Sequence, residues 1–146
     1  MLRALAELSG ETVNLGVPTT HGVEHLAQEE SRHFVGGTNW VGRRVPYETT
    51  ANGKVLRAFS AERPTGGAAI RAQGYAVAVD ELELGLAALA APVFGADGVA
   101  VAALSISAPT FRLPRKRIAE LAPELVRQAA LLSEQLGHHD DTEGAA

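Results

Sequence analysis

Apolar positions recur along this chain with two distinct periods. Over residues 1–8, Leu2, Leu5 and Leu8 return at intervals of three, which predicts a short amphipathic helix stopped by Ser9 and Gly10. Residues 11–17 alternate instead, with Val13, Leu15 and Val17 on one face, as in a half-buried strand. A turn follows at 18–22, then a returning strand at 23–28 and a weaker strand at 32–35 ending in Gly36-Gly37. Residues 40–47 are irregular around Pro46. The next helix takes Thr49 or Thr50 as its N-cap and Val55, Leu56 and Phe59 as its apolar side. Residues 62–67, with Pro64, Gly66 and Gly67, form a loop. Residues 68–73 make a brief helix closed by Gly74.

In the second half the alternation returns at 75–79, and a polar bend fills 80–85. Two apolar runs, 86–94 and 99–106, flank Gly95-Ala96-Asp97-Gly98 and define a hairpin. Both strands are rich in alanine, so another element packs closely on them. Pro114 opens the last helix. Its stripe is Ile118, Leu121, Ala122, Leu125, Val126, Ala129, Leu132 and Leu136, and Gly137 ends it. Residues 138–146 are a polar tail. The fold class is α/β of the α+β kind, a mostly antiparallel central sheet flanked by helices.

The 146 residues make one ordinary domain, and 46% apolar content is enough for a core. A net charge of −4 argues against a broad grip on a nucleic acid backbone. The absence of cysteine removes disulfides, thiol catalysis and thiolate metal sites. No apolar run approaches the roughly 18 residues of a membrane helix, and the N-terminus lacks the apolar stretch of a signal peptide. A cytoplasmic location is expected. Because the chain starts inside an amphipathic helix, it is expected to derive from something longer.

Several strings in order resemble the effector-binding domain of IclR-family transcriptional regulators. They are Ser9-Gly10-Glu11-Thr12-Val13-Asn14-Leu15, Val41-Gly42-Arg43-Arg44-Val45-Pro46 and Thr50-Ala51-Asn52-Gly53-Lys54-Val55-Leu56. Arg71-Ala72-Gln73-Gly74-Tyr75, Ala90-Ala91-Pro92-Val93-Phe94 and Ala103-Leu104-Ser105-Ile106-Ser107-Ala108-Pro109 complete the set. The resemblance runs over residues 1–137. It implies a GAF-like or profilin-like sensor fold that binds a small molecule, forms dimers or tetramers, needs no cofactor and is not an enzyme. It also implies operator DNA binding through a winged helix-turn-helix domain that this stretch lacks, so the chain alone is not expected to bind DNA. The family carries a longer segment between Phe59 and Gly74 than is found here.

Three places are candidates for chemistry. Ala51, Asn52 and Gly53 open the middle helix, whose first N–H groups lack internal partners and whose dipole favours anions. The resemblance puts Ala51 and Asn52 against the effector; the alternative is a plain helix turn packed on the sheet. Gly53-Lys54 is no phosphate loop, since Glu48 stands where that motif needs glycine and Val55 where it needs Ser or Thr. Ser105 and Ser107 alternate onto one strand face. In relatives they hydrogen-bond the effector, while backbone carbonyls are the alternative partners. At Ala78 and Ala88, relatives that bind small keto acids carry polar groups. The alanines here imply a roomier, more apolar pocket lined by Val79, Leu86 and Leu104, and an effector such as an aromatic acid.

The remaining candidates are weaker. His21 and His25 are four apart but not on a helix, His33 stands alone, and no metal site is expected. Trp40 fits a pocket lid, an interface anchor or loop packing, and Arg43-Arg44 reads as a solvated pair. The rival functions are a stand-alone GAF-like sensor and a small serine hydrolase, which would need a base beside Ser105 or Ser107.

Overall fold

The computed structural model of the chain describes residues 2–30 and 39–139. Its elements are α1 (Leu2–Ser9), β1 (Thr12–Thr19), β2 (Gly22–Glu29), β3 (Arg44–Val45), α2 (Ala51–Ala58) and α3 (Ala68–Gln73). Then come β4 (Ala76–Val79), β5 (Leu86–Phe94), β6 (Ala100–Pro109) and α4 (Arg115–Gln135). A single turn of 3₁₀ helix at Thr65–Gly67 leads into α3. The weak strand expected at 32–35 lies outside the described residues, and the irregular stretch before α2 contributes the two-residue strand β3.

The strands form one six-stranded sheet in the order β3-β2-β1-β6-β5-β4, and every neighbouring pair is antiparallel. Alternation along the strands gives the sheet two apolar faces. On one, Val13, Leu89, Leu104 and Ile106 meet α1 and α4 through Leu5, Ile118, Leu121 and Leu125. On the other, Val23, Ala76, Ala90 and Ala103 meet Val55 and Leu56 of α2. The alanines of β4, β5 and β6 therefore have the close neighbour that their small size predicts.

Helix α2 starts where Thr50 caps it. The Thr50 Oγ1 accepts from the Gly53 N–H at 3.0 Å and donates to the Pro46 carbonyl at 2.6 Å. Gly53 is a contact point: a Cβ there would lie 2.3 Å from the Tyr47 Cα and 2.4 Å from its carbonyl oxygen. The Lys54 Nζ bonds the Val77 carbonyl and the Glu81 carboxylate.

Helix α4 buries the expected stripe from Ile118 to Ala129, but Leu136 is 51% exposed. Ser133 takes the buried place instead, because it meets a break in the sheet. The β5–β6 register shifts between Val93 and Phe94, and the Phe94 N–H turns to the Ser133 Oγ at 2.8 Å. The same hydroxyl donates to the Ala129 carbonyl at 2.8 Å. Pro123 sits inside α4 on its exposed side, so the carbonyl deprived of its helical bond faces water.

Two substitutions test these contacts. Ser133→Ala strands a part-buried amide and should cost about 1–3 kcal/mol, read as a lower denaturant midpoint at unchanged slope. Gly53→Ala should lower stability by about 1–3 kcal/mol through overpacking against the Tyr47 backbone. Gly66→Ala, with nothing within 4 Å of the new methyl, should leave the midpoint unchanged or raise it.

Candidate functional site

The α2 face of the sheet does not fill completely. Between the start of α2 and strands β1, β2, β4, β5 and β6 lies a cavity of about 50 Å³. A single water needs roughly 10–15 Å³ on this scale, so the space holds a few waters or a small head group. Strand register brings its floor together. Ser105 of β6 pairs with Asn14 of β1, and Ser107 pairs with Ala88 of β5, which in turn pairs with Ala78 of β4. Ala51 and Asn52 supply the helix side, Leu82 and Leu86 one wall, and Val45 and Trp40 another.

Several candidate residues from the sequence therefore converge here: Ala51, Asn52, Ala78, Leu86, Ala88, Ser105 and Ser107 all line the cavity. Three others do not. Gly53 faces the Tyr47 backbone, and its role is the close approach already described. Leu104 and Val79 lie in the core on the opposite face of the sheet. The reason is the strand period of two: once Ser105 and Ala78 face the cavity, their neighbours cannot. The lining is also not uniformly apolar, because Asn14, His25, Thr49 and Thr50 join it.

His25 and Asn14 were missed as site residues. Asn14 had a signal, since it alternates with the apolar Val13 and Leu15 and so faces the other way. His25 had one too, as a lone polar ring on the same side of β2 as Val23. It is only 5% exposed, and its Nε2 lies 3.2 Å from the Asn52 Nδ2. The Trp40 ring lies 5.9 Å from its ring, and the Arg43 guanidinium is 5.7 Å from the centre of the indole. Arg43 and Arg44 are both exposed, as a solvated pair should be.

The polar accounting of this cavity is incomplete. Among the described residues, the buried side-chain atoms without a hydrogen-bond partner are the Asn14 Oδ1, the His25 Nδ1 and the Asn52 Oδ1, and all three residues line it. Buried polar atoms are normally satisfied, so three around one cavity set it apart from the rest of the core. The Ser105 Oγ reaches the Asn14 carbonyl only at 3.5 Å. Thr50 occupies the N–H of Gly53 with its side chain and that of Lys54 with its carbonyl. The first two N–H groups of α2, on Ala51 and Asn52, have no acceptor within the helix.

The electrostatics are those of a neutral site. No Asp, Glu, Lys or Arg side chain is among the lining residues. Burial pushes the His25 imidazole below its usual pKa of 6.5, with the neighbouring Arg43 backbone pulling the other way by less. His21 is exposed at the β1–β2 turn, and His33 lies outside the described residues. Among the described residues no three His, Asp or Glu side chains gather as a metal site would require. No helix there is long and apolar enough to cross a membrane.

An outer cleft of about 260 Å³ adjoins the cavity and shares Trp40, Leu86 and Ser107 with it. Thr12, Leu84, Pro109 and Arg112 line its far part, and the Arg112 Nε is held 3.2 Å from both carboxylate oxygens of Glu11.

Comparison with known proteins agrees with this architecture. The family described as "Bacterial transcriptional regulator IclR C-terminal" matches residues 1–65 and 68–134. The HTH-type transcriptional regulator KdgR of Escherichia coli is 32% identical over 95% of this chain and 62% of its own length. BhcR of Paracoccus denitrificans is 30% identical over 91% of this chain and 57% of its own length. The crystal structure of the E. coli KdgR C-terminal domain superposes with a TM-score of 0.78 at 32% identity, covering 94% of each chain. Thermotoga maritima IclR gives 0.86 at 25% identity, covering 94% of this chain and 66% of that one. The chain thus spans less than two thirds of these two curated relatives. The alignment with KdgR has 164 positions against 146 residues here, and the family match breaks at 66–67, inside the segment that reads as shortened. On fold, family match and relatives alike, the chain belongs to the IclR family of bacterial transcriptional regulators and carries its C-terminal domain.

Proposed function

We propose that residues 1–137 are the effector-sensing and oligomerising domain of a cytoplasmic transcriptional regulator, with residues 138–146 as a polar tail. A small organic acid binds in the cavity, its carboxylate at the free N–H groups of α2 and its other polar atoms toward Asn14, Ser105 and Ser107. The observation that carries this reading is the set of three unpartnered buried polar atoms around one cavity at a helix N-terminus. An aromatic acid fits only by continuing past Trp40 into the outer cleft, since the inner space of about 50 Å³ does not hold a ring as well as a head group.

Binding that favours one arrangement of the assembled domains re-spaces the DNA-binding domains attached to them, and a dimer or tetramer of this domain is the expected unit. The curated relatives support this part of the reading, because they are HTH-type regulators that extend beyond the matched stretch. Binding rather than catalysis is favoured at Ser105. Its hydroxyl points to a backbone carbonyl, and the one histidine of the cavity has its Nε2 against Asn52.

Thermal unfolding with a panel of organic acids, nucleotides and metal ions tests the reading. An acid at 100 times its Kd should add about 2.7 kcal/mol of stability, and Ser105→Ala and Asn52→Ala should remove that gain. A response to nucleotides alone, or to no compound, would sink it. The ligand-free protein makes a second prediction. The folded pKa of His25 lies below the unfolded value of 6.5, so below pH 6.5 the unfolded chain takes up a proton that the folded one refuses. Stability should therefore fall as the pH drops from 7.5 toward 5, by more in the natural chain than in His25→Gln, as read from urea midpoints at each pH.

A further inference from the structure

The carboxylate assigned above would enter a cavity with no fixed positive charge. The nearby cations are committed elsewhere. Lys54 is held by Glu81 and the Val77 carbonyl, and Arg57 pairs with Glu48 and lies over the Tyr47 ring. Arg43 lies over the Trp40 ring, Arg44 is exposed on β3, and Arg112 pairs with Glu11. Glu24, next to His25 on β2, points to the opposite face of that strand. From β1 and β6 the polar groups toward the cavity are Asn14, Ser105 and Ser107, and from α2 it is Asn52, none of which changes charge near neutral pH. An unpaired buried anion is expensive, and three or four neutral donors offset that cost only in part.

His25 is the one lining side chain that can supply the missing charge. Asn52 holds one of its ring nitrogens and leaves the other, Nδ1, buried and unpartnered. The pair keeps this property however the amide is oriented. With the Asn52 Nδ2 toward the ring, Nδ1 carries the proton and the Asn52 Oδ1 is the free acceptor; with the amide reversed, Nδ1 is the free acceptor and Nδ2 the free donor. Only the first orientation can persist when the ring is neutral and meets an anion at Nδ1. The structure carries the first orientation, so proton uptake goes with reversal of the amide: Nε2–H is then donated to the Asn52 Oδ1 and Nδ1–H to the ligand, and the ring is a cation.

We propose that this cavity takes its acid together with one proton, which His25 accepts between Asn52 and the bound carboxylate. The inference rests on the organic-acid reading of the site. No covalent bond changes: the anion and a solvent proton enter together, and the imidazole becomes an imidazolium. Burial favours the neutral imidazole in the empty site, and the charge appears with its counter-ion. His25 is thus a specificity-determining residue, selecting anions that can share that proton over cations and over neutral analogues.

The test is titration calorimetry of the whole chain with benzoate and pyruvate, and with benzamide and pyruvamide as uncharged controls. Each is measured at pH 6.5, 7.0, 7.5 and 8.0 in phosphate and in Tris, whose ionisation enthalpies differ. Carboxylates stay ionised over this range, because carboxyl pKa values lie near 4. The expected result is binding of an acid that tightens by up to tenfold per unit fall in pH, with close to one proton taken from the buffer. In His25→Gln the acid should bind more weakly, with a flat pH profile and no proton exchange. In Asn52→Asp a built-in carboxylate should charge the ring in advance, so that proton uptake disappears even if the glutamine variant does not fold. Acid binding with a pH-independent Kd and no buffer dependence overturns the proton coupling and leaves the organic-acid site standing. Binding of the amides without the acids, or of none of the four, overturns both.

Discussion

Helix α2 lies hard against the sheet, and the rest of the site depends on that approach. Ala76, Ala90 and Ala103 keep the surface beneath it flat, and Gly53 lets its first turn touch the backbone of Tyr47. The Thr50 cap fixes where the helix begins. Had larger side chains held the helix away, Asn52 would not reach His25, and the space beneath would be wider than the present small cavity. The alanine content of β5 and β6 is thus a positional device as well as core material.

Much of the fold was legible from patterns of period two and period 3.6. The β5–β6 hairpin, the Thr50 cap, the Gly74 stop of α3 and most of the α4 stripe follow from local rules. Leu136 did not follow them. It stays exposed, and the buried place goes to a serine one turn earlier, which meets the register shift at Phe94. A bulge of that kind depends on two strands and a helix together, and no window of sequence contains all three.

The site was half legible. Serines at alternate positions of an apolar strand and a helix start with small residues pointed to the surface that lines the cavity. The same alternation, applied strictly, excludes Leu104 and Val79 and includes Asn14. His25 was harder, because its partner Asn52 is 27 residues away and pairs with it only once β2 and α2 lie on the same side of the sheet. The polar groups gathered there cost stability, since an apolar filling would leave no orphan atoms. That local conflict between sequence and packing is the usual mark of a binding surface within an otherwise consistent fold.

Trp40 has a consequence of another kind. It is the only tryptophan in the 146 residues, and it lines both the inner cavity and the outer cleft. Its indole is in ring contact with the imidazole of His25 and in cation–π contact with the guanidinium of Arg43. All indole emission from this chain therefore arises at the site itself. The protein carries a built-in optical reporter whose intensity and colour register the polarity, occupancy and charge of the space beside it, with no label attached.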